Sequence, residues 1–501
     1  TSVNVTVPLA NDASLENGKL YIQAKIGGNA YANVSSAYTI QAGDLGKDKI
    51  ISVAANDLEG ITGFTNGATV SFTALLEDYA DGSGGTGNQT VGTASATTLT
   101  VDQQDPAAFT TGAITTLTEP VVSGYWNSHN TGLTVVVPVA NDATLEDGWI
   151  QIIGKTASGS YEDVGDSVQI ANGDLDGNVT VTLTAAQFEG ITGLADGETI
   201  TINARIDDVA QNATTGTAST TTLVVDQTAP TISYVSSDTS DANPFKIGDL
   251  VPITVKFDGN VNVVISDGIP NIRLDTDERP GTATSSGRYS SGTGSSDIIF
   301  RYTVAANEYS ADLNYTIERL ILNGSSIRDA AGNNASLDLP DRTDNNALKQ
   351  KKDIWIDGVV PAAGTVDSVK TTGGTIMTGF WNASNTGAWV KVLLSSTDVS
   401  LEDGAVQIVA TINNTAANVG DAGTITNADL TAGFKKISLT AAQIEGHAQF
   451  TDNNNVNLDV ISFTAVVTDK AGNATTHSAS ATTLTVDETA PAAFTVGDVI
   501  T

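Results

Sequence analysis

The chain has 501 residues, no cysteine, and 57 acidic against 23 basic residues, for a formal net charge of −34. That length exceeds what one hydrophobic core supports and predicts about three to five domains, while the charge repels phosphate backbones and anionic lipid and so argues against nucleic acid and membrane surfaces as partners. Without cysteine there are no disulfides, no thiol chemistry and no Cys-ligated zinc, which leaves divalent cations bound through oxygen as the available staple.

Glycine is abundant at 48 residues, proline is scarce at 12, and Thr, Val, Asn and Asp alternate without helical spacing. An all-β chain is expected. The N-terminal TSVNVTVPLAND already reads as strand, with no signal-peptide pattern, and no apolar run approaches the ~20 residues of a membrane span. Any export or anchoring signal is expected outside this segment.

Residues 1–105 open on TSVNVTVPLANDASLENG, which aligns with TGLTVVVPVANDATLEDG at 131–148. The first repeat is therefore expected to lack its opening strand. Residues 106–230 form a complete copy running from PAAFTTGAITT through GYWNSHNTG and NDATLEDG to the close at Asp226. Residues 231–360 keep the rhythm of short strands and turn residues but diverge in sequence, and residues 361–490 return to the first plan with GFWNASNTG, SLEDG and VTDKAGNA. Residues 491–501, PAAFTVGDVIT, nearly copy the strand that opens the second repeat. About seven strands at a spacing of ~8 to 15 residues fit a tandem array of immunoglobulin-like antiparallel β-sandwiches, and the ~125-residue period is too long for a solenoid coil.

Three junctions share one wording: LTVDQQDP, LVVDQTAP and LTVDETAP, ending strands at Asp102, Asp226 and Asp487. With DAAGN at 329–333, DKAGN at 469–473 and ANDATLEDG, they resemble the bacterial immunoglobulin-like (cadherin-like) repeats of large secreted adhesins, surface layers and extracellular fibres. The resemblance covers essentially the whole chain. It implies an extracellular or cell-surface location, a stalk role, and Ca²⁺ bound by the corresponding aspartates at interdomain joints.

Topology leads to the same place independently. The loop after the second strand and the loop after the sixth should both lie at the end of a sandwich that receives the preceding linker. For the second repeat this convergence names Asp102, Asp105, Asp142, Glu146, Asp208 and Asn212; for the fourth, Asp357, Asp398, Glu402, Asp469 and Asn473. The third keeps Asp226, Asp258, Asp329 and Asn333, and the first offers Asp12, Glu16 and Asp78. Asp487 begins a further joint. Oxygen ligands in such number suit Ca²⁺ better than Mg²⁺ or Zn²⁺. The competing explanation for each is turn chemistry, since Asp and Asn cap neighbouring amides and tolerate left-handed backbone.

Other motifs favour architecture. Trp126 and Trp381 in matching WN-x-x-NTG segments read as packed corners, and the Glu59-Gly60, Glu189-Gly190 and Glu445-Gly446 pairs as turns. His129, His447 and His477 have no common metal spacing and are expected at the surface. The Asn212, Asn334 and Asn473 sequons are formal glycan acceptors, and the Gly-rich 81–88 reads as a loop insertion without the helix and lysine of a phosphate site. With no nucleophile elbow and with acidic sets repeated in every domain, an enzyme is not expected. The reading is a structural segment of an extracellular filament, sheath or adhesin stalk, joined end to end with copies of itself or further repeats. The alternative is an adhesion module whose divergent third domain takes a glycan or cell-surface ligand. Two explanations of the complementary ends stay open: a window on a longer array, or donation of residues 491–501 to the open repeat of another subunit.

Overall fold

The computed structural model describes residues 2–79, 87–239, 244–276, 285–451 and 458–497; most of the Gly-rich stretch at 81–88 lies outside them. The chain divides into two compact units, Thr1–Gln227 and Thr228–Thr501. Each contains two hydrophobic cores, assembled from residues 7–101 and 114–225 in the first unit and 235–356 and 366–486 in the second.

The second sandwich sets the pattern. Strand Gly132–Val139, sequence GLTVVVPV, alternates buried and half-exposed positions because successive side chains point to opposite faces. It lies between Ile114–Leu117 and Gly177–Thr184, both antiparallel, to form the three-stranded sheet. The opposite sheet runs from Tyr125–Asn127 through Leu223–Asp226, Thr199–Asp207 and Trp149–Thr156 to Glu162–Asp163. Leu133, Val135 and Val137 face Ile150, Ile152, Ile200 and Ile202, all fully buried. Each such side chain contributes about 1.5–3 kcal/mol by leaving water.

One pair in this sheet is parallel: Tyr125–Asn127 runs alongside Leu223–Asp226. It inserts Trp126, fully buried, with its ring 4.5 Å from that of Phe188 and its indole N–H donating to Glu189 Oε1 at 3.1 Å. Glu189 closes the helical turn Ala185–Glu189, which Thr184 and Gln187 cap reciprocally. The fourth sandwich repeats the corner with Phe380–Trp381 parallel to Leu484–Val486, but the indole of Trp381 donates to Glu488 on the outgoing linker, 2.9 Å away. The Glu-Gly pairs thus end short helices, and both tryptophans are packed corners.

Among the described residues the first sandwich contains the six-stranded sheet around Lys19–Ile26 and Thr69–Glu77, and a second sheet of Ser2–Pro8 with Asp48–Ala54. The third is built on the long strand Leu250–Val264, paired with Ile232–Ser236 and Ser295–Thr303. Its core adds Tyr302 and Tyr315, both essentially inaccessible. The Tyr302 hydroxyl donates to Glu308, and burial pushes this phenol far above its ordinary range.

The histidines depart from the sequence expectation. His447 and His477 are buried and His129 is partly covered. Gly364 allows this at His477, because a Cβ on that glycine would stand 2.6 Å from the imidazole. An alternating position in a strand is apolar or not according to what faces it, and here a glycine leaves room for a ring.

Removing the second corner tests the packing argument. Trp126→Ala is expected to cost about 3–5 kcal/mol, seen by calorimetry as an early unfolding step of the first unit, with the second unit's transition unmoved.

Candidate functional site

Each sandwich carries one loop built the same way, an aspartate clasping an asparagine. In the second, Asp208 N–H donates to the Asn212 carbonyl at 3.0 Å, and the Asp208 carboxylate accepts from Asn212 N–H and Nδ2, both at 2.9 Å. In the third, Asp329 accepts from Asn333 N–H and Nδ2 at 2.8 and 2.9 Å. In the fourth, Asp469 accepts from the same two groups of Asn473, again at 2.8 and 2.9 Å. The first sandwich uses Asp78 with Asn88, at 2.6 and 3.0 Å. Asn88 escapes sequence reading because an insertion separates it from Asp78, although GNQTVGTAS at 87–95 matches QNATTGTAS at 211–219.

Where linker and loop lie in one unit, the clasp asparagine reaches the incoming chain. Asn212 Nδ2 donates to the Asp102 carbonyl at 3.4 Å, and Asn473 Nδ2 donates to the Asp357 carbonyl at 2.7 Å. Asn473 Oδ1 also accepts from Ile247 N–H of the third sandwich at 3.1 Å. A threonine two residues on adds a second bond: Thr214 to the Pro106 carbonyl and Thr475 to the Pro361 carbonyl, at 2.6 and 2.7 Å. The first loop joins through its backbone, with Val209 N–H donating to Thr144 O at 3.1 Å and Lys470 N–H to Ser400 O at 2.9 Å. The three segments meet at one end of the sandwich.

The carboxylates themselves take separate roles. Asp12, Asp142 and Asp398 cap the short 3-10 turns that follow them, accepting from Ser14, Thr144 and Ser400 respectively. For Asp12 the backbone and hydroxyl bonds from Ser14 hold the carboxyl below its ordinary range. Glu16, Glu146 and Glu402 end these turns; Glu146 accepts from Asn172 Nδ2 at 3.0 Å, and the other two are exposed. Asp258 fastens Thr231, accepting from its N–H and hydroxyl at 2.9 and 2.6 Å. Asp226 closes its strand opposite Asn127, and Asp105 is exposed.

Asp102 Oδ1 accepts from Gln104 N–H at 3.1 Å, while its Oδ2 is buried without a hydrogen-bond partner, as is Oδ1 of Asp487. Asp357 is fully buried and Asp469 is 3 % exposed. Burial pushes the Asp469 carboxyl above its ordinary range against the pull of Asn473 and Gly472. Lys470 brings a cation to this joint, 3.2 Å from Asp403 Oδ2 and 5.8 Å from the centre of the Trp355 ring. Among the described residues no three acidic or imidazole side chains stand together as a preformed metal cluster. The asparagines of two sequons, Asn212 and Asn473, are clasp residues, and Asn473 is 4 % exposed.

No family model and no curated protein matches the chain. Among solved structures, part of a 1.5-MDa bacterial ice-binding adhesin studied for host cell surface retention aligns over 77% of this chain and 100% of its own, at 14% identity and a TM-score of 0.31. Domains A168–A170 of titin align over 75% and 100% at 11% identity and 0.26, and the BSP domain of a biofilm-associated protein over 98% and 96% at 11% and 0.22. Likeness at these scores carries no argument about function.

The clasp makes a graded prediction. Asn473→Ala removes bonds to Asp469, Asp357 and Ile247 and strands a buried carboxylate, which is expected to cost at least about 2 kcal/mol. Asn88→Ala acts on an exposed clasp and is expected to cost under about 1 kcal/mol; calorimetry of the two variants checks the order.

Proposed function

We propose that the chain is a structural repeat segment of an extracellular filament, sheath or adhesin stalk, in which a sandwich grips the linker that enters it. The observation that carries this reading is the Asp–Asn clasp, present in four sandwiches and directed at a linker carbonyl at both joints contained within a unit. A catalytic centre is expected once, with its groups turned to a substrate; here the groups recur and are turned to the chain's own backbone. Among the described residues, the cleft of about 490 Å³ beside Arg319, Arg328, Asn334 and Asp338 in the third sandwich is lined by no aromatic side chain, so it lends little to the adhesive alternative.

Calcium is the ion proposed for the joints. A net charge of −34, the unpartnered buried oxygen of Asp102 and the upward-shifted Asp469 all support it, since a cation stabilises carboxylates that burial leaves poorly solvated. Asp142 and Glu146 would exchange their present donors, Thr144 and Asn172, for the ion. Extracellular calcium modules bind in the range of about 10⁻⁴ to 10⁻³ M.

Two measurements test this. Calcium at about 1 mM should raise the unfolding midpoint over that in chelator and extend the maximum dimension in solution scattering. If both stay unchanged, calcium is struck out and the clasp alone holds the joints. In chelator the raised carboxyl of Asp469 contributes fully below its unfolded value of about 3.9, and that contribution is lost as pH rises through the raised value. Calcium should offset this loss, which a pH series of unfolding midpoints reads directly.

A further inference from the structure

The smaller sheet of the fourth sandwich is Val366–Thr372, Gly387–Leu393 and Phe434–Thr440, antiparallel in that order. Alternation sends Val369, Val390, Val392, Ile437 and Leu439 into the core, so the residues between them face outward. That outer face carries Lys370, Trp389, Lys391, Leu393, Phe434 and Lys436. Pairing sets Lys370 opposite Trp389, Lys391 opposite Lys436, and Leu393 opposite Phe434. Lys436 Nζ lies 4.8 Å from the centre of the Trp389 ring, and Lys391 Nζ 4.7 Å from that of Phe434.

The other sandwiches supply a comparison position by position. Gly132 pairs with Leu117 and Thr184 as Gly387 pairs with Thr372 and Thr440, which fixes the equivalent residues by register. Where the fourth has Lys370, Trp389, Lys391, Phe434 and Lys436, the second has Thr115, Thr134, Val136, Asn178 and Thr180. The first has Asn4, Thr6, Asp48 and Ile50 at the last four of these positions. Neither supplies a lysine or a ring, so the sandwich does not need them there.

The fourth sandwich keeps them at a cost, because like charges directly opposite in a sheet repel. Relief is partial. Lys391 Nζ stands 3.1 Å from Asp367, and Asp429, in the helical turn before Phe434, is held by Lys435 at 2.9 Å. Lys370 and Lys436 have no ion pair among the described residues, although the chain carries a net charge of −34. A cleft of about 280 Å³ runs beside them. Lys370 and Trp389 line it with Ser368, Thr371, Ile376 and Met377, the last two 49% and 53% exposed.

We propose that this face and its cleft bind an acidic polysaccharide, a chain of sugar rings bearing carboxylate or sulfate groups. A sugar ring has an apolar C–H face and a polar rim, so it settles against Trp389, Ile376 and Met377 with hydroxyls toward Ser368 and Thr371. Lys370, across from the indole, and Lys436, over it, then meet the oxyanions. Lys436 exchanges a cation–π contact for a charge-assisted bond, the stronger of the two at an exposed site. A sparsely charged chain suits three lysines on an otherwise acidic molecule. A nucleic acid duplex does not, since it presents a charge every ~1.7 Å and the surrounding carboxylates repel it. The site requires neither calcium nor the stalk reading.

The test uses the whole 501-residue chain in chelator at low salt, so that no divalent ion bridges two anions. Polygalacturonate and dextran sulfate are the probes, unmodified dextran and oligothymidylate the controls, and titration calorimetry the readout. At least one acidic polymer should bind, more weakly as salt rises, and dextran should not; the ratio of the two says whether carboxylate or sulfate is preferred. Trp389→Thr should weaken binding about tenfold, and Lys370→Thr with Lys436→Thr should weaken it at least as much and flatten the salt dependence. These changes install what the second sandwich already carries, so folding should be kept. If either variant fails to fold, Lys370→Gln with Lys436→Gln removes charge from two exposed side chains only and must still lose the acidic polymer. A parent chain that binds neither acidic polymer, binds dextran equally or binds oligothymidylate more tightly overturns the proposal, as do folded variants that bind like the parent. Self-association of the parent that the lysine variant abolishes also overturns it, because the face would then be taken by an acidic surface of a second copy.

Discussion

A carboxylate withdrawn from water needs donors, and satisfying that need gives these sandwiches their joints. In the fourth, Asp469 takes the backbone and side-chain N–H groups of Asn473, which fixes the asparagine's amide in one orientation. The remaining amide hydrogen and the oxygen are then aimed, and they meet the Asp357 carbonyl and Ile247 N–H. A loop that would otherwise be a mobile turn becomes a bracket for the preceding domain. The same clasp without burial, at Asp78 and Asn88, lacks that leverage because water competes for every group in it.

The clasp also gives the acidic residues a role that does not need an ion. Asp142 and Asp398 shape the turn that brings Thr144 and Ser400 to Val209 and Lys470. Asp208 and Asp469 orient asparagines, and Lys470 carries positive charge into the joint where the carboxyl is most buried. Calcium would act on this frame by stiffening segments that already meet. Such a joint, held first by hydrogen bonds, would be firmer with the proposed ion than without it.

Much of this was legible in the sequence. Period-2 alternation in GLTVVVPV and the short apolar run of WIQIIGKT placed the strands, and the recurrence of VDxxxP placed the linkers, because both depend on short-range chemistry that survives divergence. The meeting of three segments followed from strand parity. The direction of each side chain did not, since whether Glu146 faces a linker or Asn172 depends on a turn geometry that composition underdetermines. Asn88 was hidden by an insertion, and the buried His477 by the remoteness of Gly364, over a hundred residues earlier in the chain.

Remoteness of that kind also explains why the repeats are alike yet not interchangeable. Alignment sees that PAAFTT and PAAGTV are similar, but only the register reveals that the residues facing them are Gly216 with Asn203 in the second sandwich and His477 with Thr464 in the fourth. A phenylalanine cannot enter the fourth groove, where His477 already occupies the space that Gly364 leaves. Steric exchange across one pair of positions therefore lets the second and fourth sandwiches share a backbone plan while the fourth excludes the second's phenylalanine. That is what a tandem array needs, because closely similar repeats at high local concentration would otherwise trade strands with one another.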